Sequence, residues 1–128
     1  MPDPELDPVL ALADRLFLAI GHGDAATIGE CLADDVVVWT NFDDREALRP
    51  KILGLLAWMH SSIADLRYEI VRREVVPDGF VQQHVLRGRG PNGEQIVMPA
   101  CVVATVADGR VTRMAEYTDP TPLVTAFS

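Results

Sequence analysis

The sequence predicts an α+β fold: three N-terminal helices packed on one face of a curved, mostly antiparallel sheet. Three observations carry this. Apolar residues recur with helical spacing over the first half of the chain, β-branched and aromatic runs dominate from Leu66 onward, and brief turn signals separate those runs as in a meander. With 128 residues, 48% of them apolar, the chain is the size of one domain with its own core. Residues 1–128 are therefore expected to form a single domain, with a flexible start over about 1–8 and a tail over about 120–128.

After the proline-punctuated MPDPELDP, the positions Leu12, Leu16, Ala19 and Ile20 define an amphipathic helix that Gly21 and Gly23 stop. Asp24 is placed to cap a short second helix through Ile28, Cys31 and Leu32, with Asp34 and Asp35 as its solvated exit. The run VVVWTNF, residues 36–42, predicts a strand. Asp43 or Asp44 can then cap a third helix that begins near Glu46 and carries Leu48, Ile52, Leu55, Leu56 and Met59 to about residue 62. Pro50 is tolerated early in that helix because the amide it removes has no intrahelical partner. Four β segments follow at about 66–76, 79–89, 95–107 and 110–118. Pro77-Asp78-Gly79 and Ala107-Asp108-Gly109 are tight turns, and GPNG at 90–93 is a longer hairpin loop.

Charge narrows the partners. Nineteen acidic against eleven basic residues give a net charge of −8, which repels phosphate backbones and anionic lipid, so neither nucleic acid nor a membrane is expected as a partner. The opening lacks a positive n-region, and LALADRLFLAI is interrupted by Asp14 and Arg15, so a signal peptide and a membrane span are not expected and a cytoplasmic location is. Cys31 and Cys101 read as small reduced core residues.

Side chains two apart on a strand share a face. In the last strand Val111, Arg113, Ala115 and Tyr117 form one face; Arg113 prefers water, which turns Met114 and Glu116 toward the helices. In the 79–89 strand Phe80, His84 and Leu86 oppose Gln83, Arg87 and Arg89, so His84 points inward. Val37, Trp39 and Asn41 form the inward face of the first strand, Tyr68 and Ile70 that of the second. The result is a mostly apolar wall with Trp39, Asn41, Tyr68, His84 and Glu116 as its polar or amphipathic members, the composition of a small-molecule pocket.

Over nearly its full length the chain resembles the SnoaL-like branch of the nuclear transport factor 2-like superfamily. The order of elements carries the resemblance, with LADDVVVW, NFDDREALRP and ADGRVTRMAEYTD as supporting motifs. It implies a cone-shaped, cystatin-like α+β barrel, in which a curved sheet wraps a long helix around a pocket, and dimers that pair through the outer sheet face. Polyketide cyclases, ketosteroid isomerases, limonene-1,2-epoxide hydrolases and non-catalytic modules share that fold. Beside SnoaL-type cyclases, Glu116 falls where an aspartate acts as general acid and base. Beside the epoxide hydrolases, Trp39 and Asn41 fall on the Tyr-x-Asn pair that orients the attacking water, and His84 on the bridging arginine. Glu116 there falls on one catalytic aspartate and Leu86 on the other. Leu16 and Thr40 stand at the oxyanion-hole tyrosine and the base of ketosteroid isomerases, and IVMPACVVATV offers no inward aspartate.

The expected function is thus a cofactor-free acid–base enzyme of isomerase, cyclase or hydrolase type, acting on a small, apolar, carbonyl-containing compound. Glu116, His84 and Asn41 are its expected catalytic residues, with Trp39, Tyr68, Leu86, Met114 and Met59 contacting the ligand. A carboxyl desolvated by Met114 and Leu86 would have a raised pKa, suited to proton transfer. No metal is expected, because His22, His60, His84 and the cysteines lack ligand spacing. The alternative is a module that binds a hydrophobic ligand without catalysis, or that only assembles as a dimer. A homodimer through the outer sheet face is expected, since the 95–107 strand is apolar on both faces.

Overall fold

The computed structural model describes residues 7–128. Of the flexible start expected over 1–8, residues 1–6 lie outside the described residues. Asp7 and Pro8 open α1 (Pro8–His22) instead: the Asp7 carboxylate accepts from the Val9 amide at 2.9 Å, and Pro8 fills the first turn. Leu12, Leu16, Phe17 and Ile20 form the buried face of α1, and Gly23, at φ 70°, ends the helix in the left-handed conformation. Asp24 caps α2 (Ala25–Cys31) through the Thr27 amide and hydroxyl.

Strand β1 (Leu32–Thr40) follows α2 directly, so Asp34 and Asp35 lie on a strand and not at a helix exit. Residues 45–48, expected as helix, form β2 (Arg45–Leu48), antiparallel to β1. The cause is local. Asp43 accepts from the Thr40 hydroxyl and the Arg45 amide, and Asp44 takes φ 53°, so the aspartates close a hairpin rather than cap a helix. Helix α3 (Arg49–Ser62) starts after that hairpin with Pro50 in its first turn. The Arg49 guanidinium donates to the carbonyls of Leu32 at 2.8 Å and Gly29 at 3.1 Å, tying α3 to the end of α2.

β3 (Ala64–Val76), β4 (Gly79–Arg89), β5 (Gln95–Ala107) and β6 (Arg110–Thr118) form the meander. Asp108 and Gly109, at φ 53° and 75°, make the β5–β6 turn with the primed geometry that matches strand twist. The strand order is β2-β1-β6-β5-β4-β3, antiparallel except for β1 beside β6, and the sheet is curved and unclosed. Leu16, Phe17, Ile52 and Met59 of the helices join Phe80, Leu86, Met98, Val102 and Met114 of the sheet in one core. Each such side chain contributes about 1.5–3 kcal/mol by leaving water.

Two bulges reset the faces. Between the pairs Ile70–His84 and Arg72–Gln83, β3 carries Val71 as an extra residue. Between Thr105–Arg113 and Val106–Val111, β6 carries Thr112, whose hydroxyl donates to the Thr105 carbonyl at 3.2 Å. Val111 and Met114, three residues apart, are consequently both buried, which corrects the expectation that Val111 shares the outer face with Arg113. The C-terminal tail holds a short helix, α4 (Thr121–Ala126). Ala126 is buried against Gly90, where a Cβ would come within 2.5 Å of the Ala126 carbonyl oxygen, so only glycine fits. Phe127 packs on Trp58 of α3 with ring centroids 4.9 Å apart.

Candidate functional site

Register determines which side chains meet on the inner face of the sheet. Arg73, Gln82, Val102 and Glu116 form one cross-strand row through β3, β4, β5 and β6, continued by Thr40 of β1. Ile70, His84, Ala100 and Thr118 form the next row, and Tyr68, Leu86 and Met98 the one after. Glu116 and His84 thus both face inward, as expected. They lie two strand spacings apart across β5, about 10 Å between backbones, and no hydrogen bond or ion pair joins them among the described residues.

A chain of polar groups runs inward from α1. Asp14 meets Arg73 Nη1 at 3.4 Å, Arg73 Nε donates to Gln82 Oε1 at 2.7 Å, and the Gln82 amide lies 2.8 Å from His84 Nδ1. Gln82 is wholly buried and His84 nearly so. Phe17 and Tyr68 bracket the imidazole, with ring centroids at 5.4 and 4.9 Å. Among the described residues, Arg73 Nη2 alone is both sealed from solvent and unpaired. Among the described residues no hydrogen bond engages the Glu116 carboxylate, the Tyr68 hydroxyl or His84 Nε2; Glu116 and Tyr68 are half-buried and His84 is nearly wholly buried. Ala100, paired with His84 on one side and Thr118 on the other, is small and partly exposed on the inner face.

Their surroundings set the proton affinities. Burial raises the Glu116 pKa above the ordinary carboxylate value of 4.5. Burial, and then the positive charge of Arg73, lower that of His84 from 6.5 to about 4. Burial, and then the charge of Glu116, raise that of Tyr68, so the phenol and the carboxylate sense one another. At neutral pH the site therefore offers a carboxyl group eager for a proton and an imidazole that refuses one.

Not every expected member is inside. Trp39 is on the outer face: Val36 is buried and Val38 packs on the core, so Val37 and Trp39 point away, and the indole packs edge-on to Tyr117 at 5.3 Å. Its Nε1 donates to Asp44 at 2.8 Å. Asn41 lies beyond the end of β1, exposed. Its amide donates to the Glu116 carbonyl at 3.1 Å and its Oδ1 accepts from the Thr118 amide at 2.8 Å, which extends the β1–β6 ladder by one clasp. Leu86, Met114 and Met59 are core residues. Gln82 and Arg73 were not among the expected site residues, although strand alternation already sets Gln82 on the His84 face.

The described residues form two clefts, one of them against the Phe17, Tyr68 and Arg73 side of this site. One of about 120 Å³ runs between α1 and β3, lined by Phe17, Leu18, Leu66, Tyr68, Ile70 and Arg73 among others. Another, of about 130 Å³, is lined by polar groups that include Arg67, Arg87 and Arg89. Neither includes Glu116 or His84. No helix among the described residues is long and apolar enough to cross a membrane.

Known structures share the fold. A protein from Jannaschia sp. CCS1 assigned as a SnoaL-like polyketide cyclase superposes with a TM-score of 0.81 at 20% identity, over 100% of this chain and 96% of that one. An LEH-like epoxide hydrolase from M. tuberculosis gives 0.77 at 18% identity, over 94% and 89%. An NTF2-like protein of unknown function from Burkholderia pseudomallei gives 0.81 at 13%, over 96% and 99%. At such identities the likeness is one of fold. No curated protein matches the sequence. A family model, the SnoaL-like domain, matches residues 13–114, from α1 to a point two residues short of Glu116. The matched span covers most of the chain and agrees with the shared fold: the chain belongs to the SnoaL-like domain family.

Proposed function

We propose that the chain is an acid–base enzyme of the cyclase, isomerase or hydrolase kind, working without a cofactor on a small, apolar, carbonyl-containing compound bound to the inner face of the sheet. One observation carries the reading: Glu116 turns into the half-buried inner face, burial raises its pKa, and among the described residues no hydrogen bond or ion pair engages its carboxylate. A carboxyl of that kind accepts a proton from carbon beside a carbonyl and returns it elsewhere, worth about 10²–10⁴-fold in rate when well placed. Tyr68 and His84 are the other polar groups the compound would meet, with Leu86, Met114 and Met59 behind them. Asn41 stays out of the proton path because its oxygen is committed to the Thr118 amide. A cytoplasmic protein is part of the same reading, supported by two unpaired cysteines, as is a homodimer through the outer sheet face.

A second reading, a non-catalytic binding module, is favoured by Leu86, a core leucine where a second carboxylate would complete a hydrolytic relay. Substitution of Glu116 separates the two. Lipophilic ketones are first screened by thermal shift, and those that stabilise the protein are then assayed for turnover. Glu116→Gln is expected to keep binding and lose turnover; a variant that turns over as fast as the parent leaves only the binding module.

A further inference from the structure

We infer that Arg73 and Gln82 are positioning residues which, acting in series, hold His84 as a neutral imidazole with its proton on Nε2, so that the inner face presents a hydrogen-bond donor to the carbonyl oxygen of the bound compound. This deepens the acid–base reading and rests on it. A guanidinium has donors only. Because Arg73 Nε donates to Gln82 Oε1 at 2.7 Å, the oxygen of the Gln82 amide must face Arg73 and its NH₂ must face His84. That NH₂ has only hydrogens to offer, so Nδ1 accepts, and a proton on Nδ1 would set two donors against each other at 2.8 Å. In the neutral ring the proton is then on Nε2.

Nothing nearby can rearrange cheaply. Gln82 is 0% and His84 3% exposed, so bulk water does not compete for their contact. Phe17 and Tyr68 fix the plane of the ring. The arrangement is also expensive: Arg73 is mostly buried, and among the described residues its one carboxylate partner is Asp14 at 3.4 Å while Nη2 is left unpaired. Apolar residues of similar volume would fill the same row with less desolvation cost. The ionisable groups turned toward His84 are Arg73 and Tyr68 from β3, Asp14 of α1 behind Arg73, and Glu116 from β6; β5 contributes Met98, Ala100 and Val102. Arg73 and burial both oppose an imidazolium, in keeping with a histidine pKa of about 4.

The roles divide cleanly. Glu116 takes the proton from carbon, the C–H electrons form the new C=C bond, and the carbonyl π electrons move onto oxygen. His84 Nε2–H hydrogen-bonds that oxygen and keeps its proton, and Glu116 gives its proton back to carbon as the carbonyl re-forms. A neutral donor matches a carbonyl oxygen and does not match an ammonium group.

Nitrogen-15 NMR of the full chain labelled at histidine tests this without a substrate. The wild type is expected to show His84 protonated on Nε2 and bare on Nδ1 throughout about pH 5–8. The isosteric Gln82→Glu variant should accept a proton from Nδ1 and bring His84 titration up into that range, and Arg73→Met should release the amide and mix the tautomers. A wild-type His84 protonated on Nδ1, or titrating like a free histidine, overturns the proposal; so does a Gln82→Glu variant whose tautomer is unchanged. Should that variant fail to fold, the wild-type spectrum decides alone. In turnover assays Gln82→Met should lower kcat with KM little changed. An active Glu116→Gln enzyme would sink the acid–base reading and leave the tautomer measurement standing, so the two failures are distinguishable.

Discussion

Gln82 Nε2 lies 2.8 Å from His84 Nδ1, with both residues buried on the inner face of the sheet. Acid must therefore destabilise the fold. The pKa of His84 falls from 6.5 to about 4, so the unfolded chain binds that proton more readily than the folded one. The contribution is complete above about pH 6.5 and is lost as pH falls toward 4, a total of about 3 kcal/mol at about 1.4 kcal/mol per unit. Glu116 acts in the opposite sense, because its raised pKa costs stability as pH rises through it. The aspartates that cap turns, Asp24, Asp43 and Asp119, lose their support as pH falls past 3.8 and below, beneath this window. Urea unfolding of wild type and His84→Phe across pH 4–7 isolates the histidine: the difference between them should narrow in acid, and a constant difference contradicts the assignment.

Arg49 predicts a purely structural effect far from Glu116. Its guanidinium donates to the carbonyl of Gly29 in the last turn of α2 and to that of Leu32, the first residue of β1, where helix passes directly into strand. Charge-assisted bonds of this type contribute about 1.5–3 kcal/mol. Arg49→Ala should lose that amount in urea unfolding, whereas Arg49→Lys, which delivers one point of charge instead of a fork, should recover only part of it.

Much of this fold is legible in the sequence because its turns are explicit. β4, β5 and β6 have the limits that their flanking turn residues predict, and β3 starts two residues early, at Ala64 rather than Leu66. Alternation also places Glu116, Met114 and His84 on the correct face. It fails where the chain departs from period two. Strict alternation from Ile70 pairs Arg72 with Gln82; the Val71 bulge substitutes Arg73, and with it the whole polar row. For Trp39 the obstacle differs: three valines before it give no alternation, so only pairing with Ala115 of β6 decides its face. β2 is hidden because Arg-Glu-Ala-Leu has helical propensity, overridden here by pairing with β1.

The outer face should hold two copies of the chain together. Val81 and Ala115 flank Val103, Val85 pairs with Pro99, Cys101 with Tyr117, and Trp39 with Ala115, forming a largely apolar surface across four strands with Gln83, opposite Cys101, as a polar member. Val97, Val103 and Tyr117 are more than 40% exposed on it. A two-fold pairing sets such a surface on itself. Val103→Arg would put a charge from each copy into that contact, so sedimentation should show a dimer for the wild type and a monomer for the variant, with unchanged circular dichroism. A wild type that sediments as a monomer removes the interface.

Ala100 tests whether the inner face is hollow. It points between His84 and Thr118, is the smallest side chain of its row, and remains partly exposed although the strand carrying it is central in the sheet. If open space adjoins it, a larger side chain enters at little cost; if packed hydrocarbon does, overpacking costs about 1–3 kcal/mol. Ala100→Leu is therefore expected to leave the thermal midpoint within a few degrees of wild type and to abolish stabilisation by any ketone that binds the parent. The two effects must occur together, because the space that tolerates leucine is the space a ligand would use. A large loss of stability would mean that the inner face is closed beside His84, and retained ligand stabilisation would move the binding site away from Glu116.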